Sequence, residues 1–415
     1  MLTVLGRNSE RVGRDNLSAV LREVHRHGAV SRSELAERTG LYRQTIRSLV
    51  GQLAERGLVD EDGTPTAGTR GRPSLVVRPR TDAVRVLALD VEVDSLAAAV
   101  VSLGGTVLRS VRVARPRHVA DPAATIDALA AAAETVLRAG PRDAQGVLGI
   151  GVAVVGLVRR DDGLVRLAPN LGWTDVPLAD LVATRLALGV PVAVGNEADL
   201  GGMAEHLRGA ADGARDVLYV SGEVGIGGGL IVDGRPLDGH RGYAGEIGHL
   251  AVNPGGRRCG CGATGCWETE VGEAALVRRA GIADADAGES AVARVLEAAD
   301  AGDETARRAI ADVGRWTGIG LASLVNVLNP EVVVLGGLLA RLHPRIAGVV
   351  DLELRRRATT ALREGLMVRP ARFGADAPLL GAAELALEPC LADPGSLPVI
   401  PLAAAALAPA AVRSA

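Results

Sequence analysis

Apolar residues recur at helical spacing near the start of the chain. Leu17, Val20, Leu21 and Val24 fall at i, i+3, i+4 and i+7 and predict an amphipathic helix. Ser31-Arg-Ser-Glu34 has the Ser-x-x-Glu spacing of a capping box, so a second helix is expected from there to Thr39. Gly40-Leu41 reads as a tight turn. Ile46, Leu49, Val50 and Leu53 then share one face of a third helix over 43–56, whose other face offers Arg43, Gln44, Thr45, Arg47 and Ser48. Beyond Val59 the pattern predicts a hairpin, with a turn around 60–63 and a return strand near 74–78. From residue 84 the period changes. Short β-branched runs at 84–89, 96–101, 149–155, 190–194, 216–220 and 332–335 alternate with Ala/Leu-rich helical stretches, which predicts α/β layers. No repeat of fixed period is visible.

Two short helices joined by a glycine turn are the helix-turn-helix pattern, in which residues at the start of the second helix reach base edges in the major groove. The hairpin completes a winged version. Arg70 and Arg72, in Arg70-Gly-Arg-Pro73, belong on or beside the wing, where they are expected to meet phosphates or the minor groove. The alternative for these helices is a protein-interaction domain with solvated arginines.

Charge decides between these readings only once it is divided. The whole chain, 415 residues, carries −3 from 46 basic and 49 acidic residues, which by itself argues against a nucleic-acid partner. Residues 1–80, however, hold 14 arginines against nine acids, and the remainder 32 against 40. That is a basic module on an acidic body, and it favours DNA. Lysine is absent, which reads as a codon bias, so the number of arginines means less than their distribution.

Composition narrows the rest. At 48% hydrophobic and 23% charged the chain can bury a sizeable core. No apolar run approaches the roughly 20 residues of a membrane span, and no signal-peptide core is seen near the start. Four cysteines are too few for a disulfide scaffold, so a reducing cytoplasm is expected. Aromatics at 2% count against a base-stacking reader of single strands. The expected domains are a winged helix-turn-helix over 1–80, an α/β body over 81–390 and a Pro/Ala-rich, poorly ordered tail over 391–415.

His249, Cys259, Cys261 and Cys266 lie within 18 residues. One His with three Cys is a standard tetrahedral zinc set, and four protein ligands leave no open position for an activated water. The expected zinc is therefore structural. Unrelated reduced thiols are the alternative, set against three of the four cysteines falling within eight residues. Cys390 reads as an ordinary buried thiol.

Gly245-Glu-Ile-Gly-His249 followed by Cys259-Gly-Cys-Gly-Ala-Thr-Gly-Cys-Trp-Glu268 resembles the signature of the ROK family (repressors, open reading frames and sugar kinases). Pro169-Asn-Leu-Gly-Trp173, Ser221-Gly222, Gly225-Ile-Gly-Gly-Gly229 and Leu335-Gly-Gly337 extend the resemblance, which covers about residues 16–387. It implies an actin-like ATPase-type fold of two α/β lobes, and with a winged helix-turn-helix in front it is similar to the family's transcriptional repressors. The implied sugar contacts are Asn170, Asn196, Glu197, Glu246, His249 and Glu268, with Glu197 standing where the family has Asp. Solvated surface carboxylates are the plain alternative.

The family's kinases open this domain with Asp-x-Gly-Gly-Thr, and here the stretch is Asp90-Val-Glu-Val-Asp94. Two glycines have become Glu92 and Val93, placing bulk and negative charge where a triphosphate must sit. The longer Glu197 would displace the base by about one methylene, and an error of about 1 Å can cost about 100-fold in rate. A regulator without kinase activity is therefore expected, binding operator DNA as a homodimer or homotetramer and answering to a small sugar or sugar derivative. The alternatives are a sugar kinase with an accessory DNA-binding domain, and a regulator with a vestigial sugar site.

Overall fold

A computed structural model describes residues 9–62, 75–117, 121–138, 147–282 and 288–397. The chain divides into two compact units: Met1–Arg85 with Ser102–Thr106 and Leu387–Ala415, and Val86–Val101 with Val107–Ala386.

The first unit is built as the periodicity demands. α1 (Ser9–His27), α2 (Arg32–Thr39) and α3 (Arg43–Glu55) pack on one another, burying Leu17, Val20, Leu21 and Val24 against Leu35, Ile46, Leu49, Val50 and Leu53. The capping box closes as expected: the Glu34 N–H donates to Ser31 Oγ at 3.2 Å, and the Ser31 N–H to Glu34 Oε2 at 2.8 Å. Gly40 ends α2 in the left-handed region at φ 71°, a conformation glycine adopts without penalty.

Strands β2 (Val59–Asp62) and β3 (Val76–Pro79) form the wing's stem. Residues 60–62, expected in a turn, are instead strand, because pairing with β3 keeps the chain extended through Asp62, and residue 63 falls outside the described residues. Arg70 and Arg72 fall outside the described residues. A third strand, β1 (Val30–Ser31), pairs with the other edge of β3 and makes the sheet three-stranded.

Residues from far along the chain complete this unit. Ser18 Oγ donates to the Leu391 carbonyl at 2.6 Å, Arg22 grips Glu388 with both guanidinium nitrogens at 2.9 and 2.5 Å, and Arg14 lies 3.7 Å from Asp393. These partners belong to the end of α13 (Ala377–Ala392) and the turn after it. The boundary expected at 390 thus falls inside a helix, and Leu387, Cys390 and Leu391 are buried. Residues 398–415 lie outside the described residues.

The second unit holds two five-stranded mixed sheets of the same plan. One contains β4 (Arg85–Val91), β5 (Ser95–Ser102), β6 (Val107–Ala114), β7 (Val147–Val154) and β11 (Val192–Asn196), in the order β11-β7-β4-β5-β6. The other contains β12 (Val217–Gly222), β13 (Ile226–Val232), β14 (Arg235–Pro236), β15 (Val332–Gly336) and β16 (Met367–Pro370), in the order β14-β13-β12-β15-β16. In each, the first strand is central, the next two extend one side, and the last two extend the other. That repeat of topology defines the two lobes of the actin-like fold. All six β-branched runs of the sequence are strands here.

Each sheet is covered by helices. In the first lobe α4 (Pro122–Arg138) and α5 (Leu178–Leu186) bury Ile126, Leu129 and Val182. In the second, α10 (Glu304–Leu328) packs along α11 (Gly337–Arg357) over Leu335, Leu339 and Ile346. A small sheet, β10-β9-β8, is formed by β8 (Leu157–Arg159), β9 (Leu164–Ala168) and β10 (Trp173–Val176). No helix among the described residues is long and apolar enough to cross a membrane.

Candidate functional site

Helix α3 presents the surface the sequence assigns to DNA. Arg43, Gln44, Arg47 and Ser48 are exposed and Thr45 is half-buried, while the opposite face is the unit's core. One residue escaped the pattern: Tyr42, just ahead of the helix, is 86% exposed.

The polar site of the second unit is built on strand and helix ends. α6 (Glu197–Arg208) starts where β11 stops, so Asn196 and Glu197 stand at a strand-to-helix junction. Asn196 Oδ1 accepts from the N–H groups of Ala198 and Asp199 at 2.8 and 3.2 Å, which caps α6. Its Nδ2 donates to the Gly156 carbonyl at 2.9 Å and to Glu197 Oε2 at 3.1 Å. Asn196 therefore fixes the helix start and aims Glu197, a structural task that residue type alone does not reveal.

Asn170 lies on the short turn Pro169–Leu171, and Glu268 begins α7 (Glu268–Val271). They converge on Gly225: a Cβ there would stand 2.8 Å from Glu268 Oε2 and 3.9 Å from Asn170 Nδ2. A Cβ on Gly227 would stand 3.4 Å from Glu197 Oε1. The glycine run itself is explained by packing, because a Cβ on Gly229 would lie 2.5 Å from the Ala198 carbonyl of α6. It is a close crossing of helix on strand, with no need of a phosphate.

His249 joins this polar group to the cysteines. Its Nε2 lies 3.6 Å from Glu246 Oε2, and its Nδ1 lies 3.7 Å from Cys259 Sγ and 3.9 Å from Glu268 Oε1. Cys261 Sγ and Cys266 Sγ are 3.7 Å apart. The four ligand atoms all lie within 4.8 Å of one another. Zn–S bonds of about 2.3 Å in a tetrahedron set sulfurs about 3.8 Å apart, so the donors fit such an ion. The His/Cys3 cluster can hold a metal through Nδ1, which leaves Nε2 facing Glu246.

Beside these groups the two ends of the Asp90–Asp94 stretch are held by ion pairs. Asp90 is fully buried, 3.4 Å from Arg112, which also reaches Asp376 at 3.2 Å and the Ala375 carbonyl at 2.9 Å. Arg117 bridges Asp94 and Glu273, at 2.9 Å to each. Neither arginine stood out in the sequence, since each reaches its acids from β6 or just beyond.

Crowded carboxyls shift one another. Burial, then the neighbouring Asp94 charge, pushes Glu92 up to about 7 against the pull of Arg112. Burial, then Glu92, raises Glu197 well above the usual range, and burial lifts Asp199 to about 7. Groups that keep their protons in the folded state but lose them when unfolded make stability fall as pH rises between the two pKa values. The thermal midpoint is accordingly expected to decline from about pH 5 to about pH 8, with a shallower decline in Glu92→Gln. Melting curves across that range check it, and parallel slopes would count against it.

A winged helix-turn-helix joined to a two-lobed domain of sugar-kinase type defines a class of transcriptional regulator. The chain belongs to the ROK family, whose model matches residues 86–389, and a MarR family model matches residues 18–68. It is 29% identical over 375 residues to the xylose repressor of Bacillus subtilis (strain 168), covering 90% of this chain and 95% of that protein. Among solved structures it is similar to a ROK family transcriptional regulator described as a homologue of the E. coli Mlc protein, with TM-score 0.73, 25% identity and coverage of 92% and 97%. It is also similar to a ROK family glucokinase from Streptomyces griseus in complex with glucose and AMPPNP, with TM-score 0.65, 30% identity and coverage of 73% and 99%.

Proposed function

We propose that the protein is a sugar-responsive repressor, in which the winged helix-turn-helix binds an operator and a sugar in the ROK domain changes that affinity. The convergence of Asn170, Glu197, Glu246, His249 and Glu268 beside the metal-ligand cluster carries the reading. Carboxylates and amides in a partly dry cleft pair with vicinal hydroxyls, and each group left unpaired penalises the wrong sugar. Asn196 acts by holding Glu197.

Zinc is the ion the donor set favours. Bound by His249, Cys259, Cys261 and Cys266, it supplies architecture, fixing the His249 tautomer so that Nε2 stays turned to Glu246 and the sugar. Phosphoryl transfer has no support from the Asp90–Asp94 stretch: Asp90 and Asp94 are paired with Arg112 and Arg117, and the side chains of Glu92 and Val93 stand where the kinases' glycines leave room for phosphates.

Arg43, Gln44, Thr45, Arg47 and Ser48 read the operator, with Arg70 and Arg72 assigned to the wing. A dimer or tetramer matches paired half-sites. Sugar alters operator affinity because it binds the DNA-competent and DNA-incompetent states unequally.

The test is a gel-shift titration on duplexes selected by the wild-type chain, with and without a panel of free pentoses and hexoses. One sugar is expected to change the midpoint at least about fivefold, the low end of ordinary coupling. Arg47→Ala is expected to weaken operator binding about tenfold or more while sugar binding stays intact. A sugar that binds tightly yet leaves the midpoint unchanged sinks the reading.

A further inference from the structure

We infer that Tyr42 is an operator contact, anchoring the start of α3 to a backbone phosphate; the inference rests on the DNA-binding reading above. Tyr42 occupies the N-cap of α3 with extended backbone, and its side chain caps no N–H of the first turn. Ser, Thr, Asp and Asn are preferred at such positions because their short side chains satisfy those donors. The preceding helix obeys the rule through Ser31. At Tyr42 the rule is broken, and an aromatic ring 86% exposed stands in place of a cap.

Among the described residues the cost has no return: the ring buries almost nothing, and the helix gains no hydrogen bond from it. Its neighbours indicate where the return lies. Arg43, Gln44, Arg47 and Ser48 are exposed on the same first turns, and residues flanking a recognition helix commonly meet the sugar–phosphate backbone. A phenol suits that position, since its hydroxyl donates to a phosphate oxygen while its ring covers the deoxyribose. Such a contact sets register and carries no sequence information.

This assignment predicts effects of opposite sign in one variant. Tyr42→Ser installs a cap, so the melting midpoint of the full-length protein is expected to rise by a few degrees. Affinity for the selected duplex is expected to fall about tenfold, with the same factor on a random-sequence duplex. Tyr42→Phe keeps the ring, removes the donor and is expected to lose about threefold to fivefold. A Tyr42→Ser protein that binds like wild type overturns the proposal while leaving the DNA reading intact. A fall in melting midpoint alongside the fall in affinity overturns it too, by making Tyr42 structural. Loss confined to the selected duplex overturns the phosphate assignment. A wild-type chain that shifts no duplex overturns the DNA reading and this proposal with it.

Discussion

Cys261→Ser is expected to empty the metal site and to weaken sugar binding at least about 100-fold. Three ligands remain in that variant, but a serine hydroxyl does not replace a thiolate on zinc, and closed structural sites depend on all four donors. Structural zinc contributes about 10–16 kcal/mol of apparent binding energy in small domains, so losing a ligand is not a minor perturbation. The effect is expected to reach the sugar because the side chains proposed to hold it adjoin, or are among, the metal ligands. His249 presents Nδ1 to the cysteines and Nε2 to Glu246, and Cys259 Sγ lies 2.8 Å from Glu268 Oε1. Elemental analysis of the purified variant and calorimetry with the responsive sugar measure both effects. Full metal content would remove Cys261 from the ligand set, and unaltered sugar binding without metal would separate the two sites.

The second large effect is expected from Gly320→Ala, in the middle of α10. Helix propensity alone would favour the change by about 1 kcal/mol. Packing opposes it: a Cβ at 320 would lie 2.1 Å from Cε2 of Trp267, whose ring is fully buried and whose Nε1 donates to the Trp316 carbonyl at 2.9 Å. Overpacking of this kind costs about 1–3 kcal/mol and occasionally more, and a ring held between helix and metal loop has little room to yield. The clash outweighs the gain in propensity, so a net loss of about 2 kcal/mol and a melting midpoint lower by several degrees are expected. Trp267 sits between Cys266 and Glu268, so sugar affinity should fall as well. An unchanged midpoint in calorimetry would show that the ring moves freely.

Much of this was legible in the residues, for particular reasons. The capping box at Ser31 and Glu34, the apolar face of α3 and the β-branched runs depend on neighbours within a few positions, and each appears where its spacing places it. The His/Cys3 cluster was legible because its ligands lie on one short stretch rich in glycine.

What pattern missed depends on partners distant in sequence. β1 is two residues long and has no period to detect; only β3 makes it a strand. The helical state of residues 391 and 392 follows from burial of Leu387, Cys390 and Leu391, which composition cannot foretell. The resemblance makes Asn196 a sugar contact; the start of α6 at the next residue gives it a cap's work as well, which only the fold reveals. Arg112 and Arg117 carry no local signature; strand β6 brings the first to Asp90, and the segment just beyond it brings the second to Asp94.

The three-segment make-up of the first unit has a consequence for timing. Leu391 accepts its hydrogen bond from Ser18 across 373 residues. At roughly 5–20 residues per second a ribosome needs about 20–75 s to travel that distance. During that interval both sheets of the sugar-binding domain emerge, while helix α1 waits with one flank uncovered. The DNA-binding unit is therefore left unfinished until the ROK domain has been made.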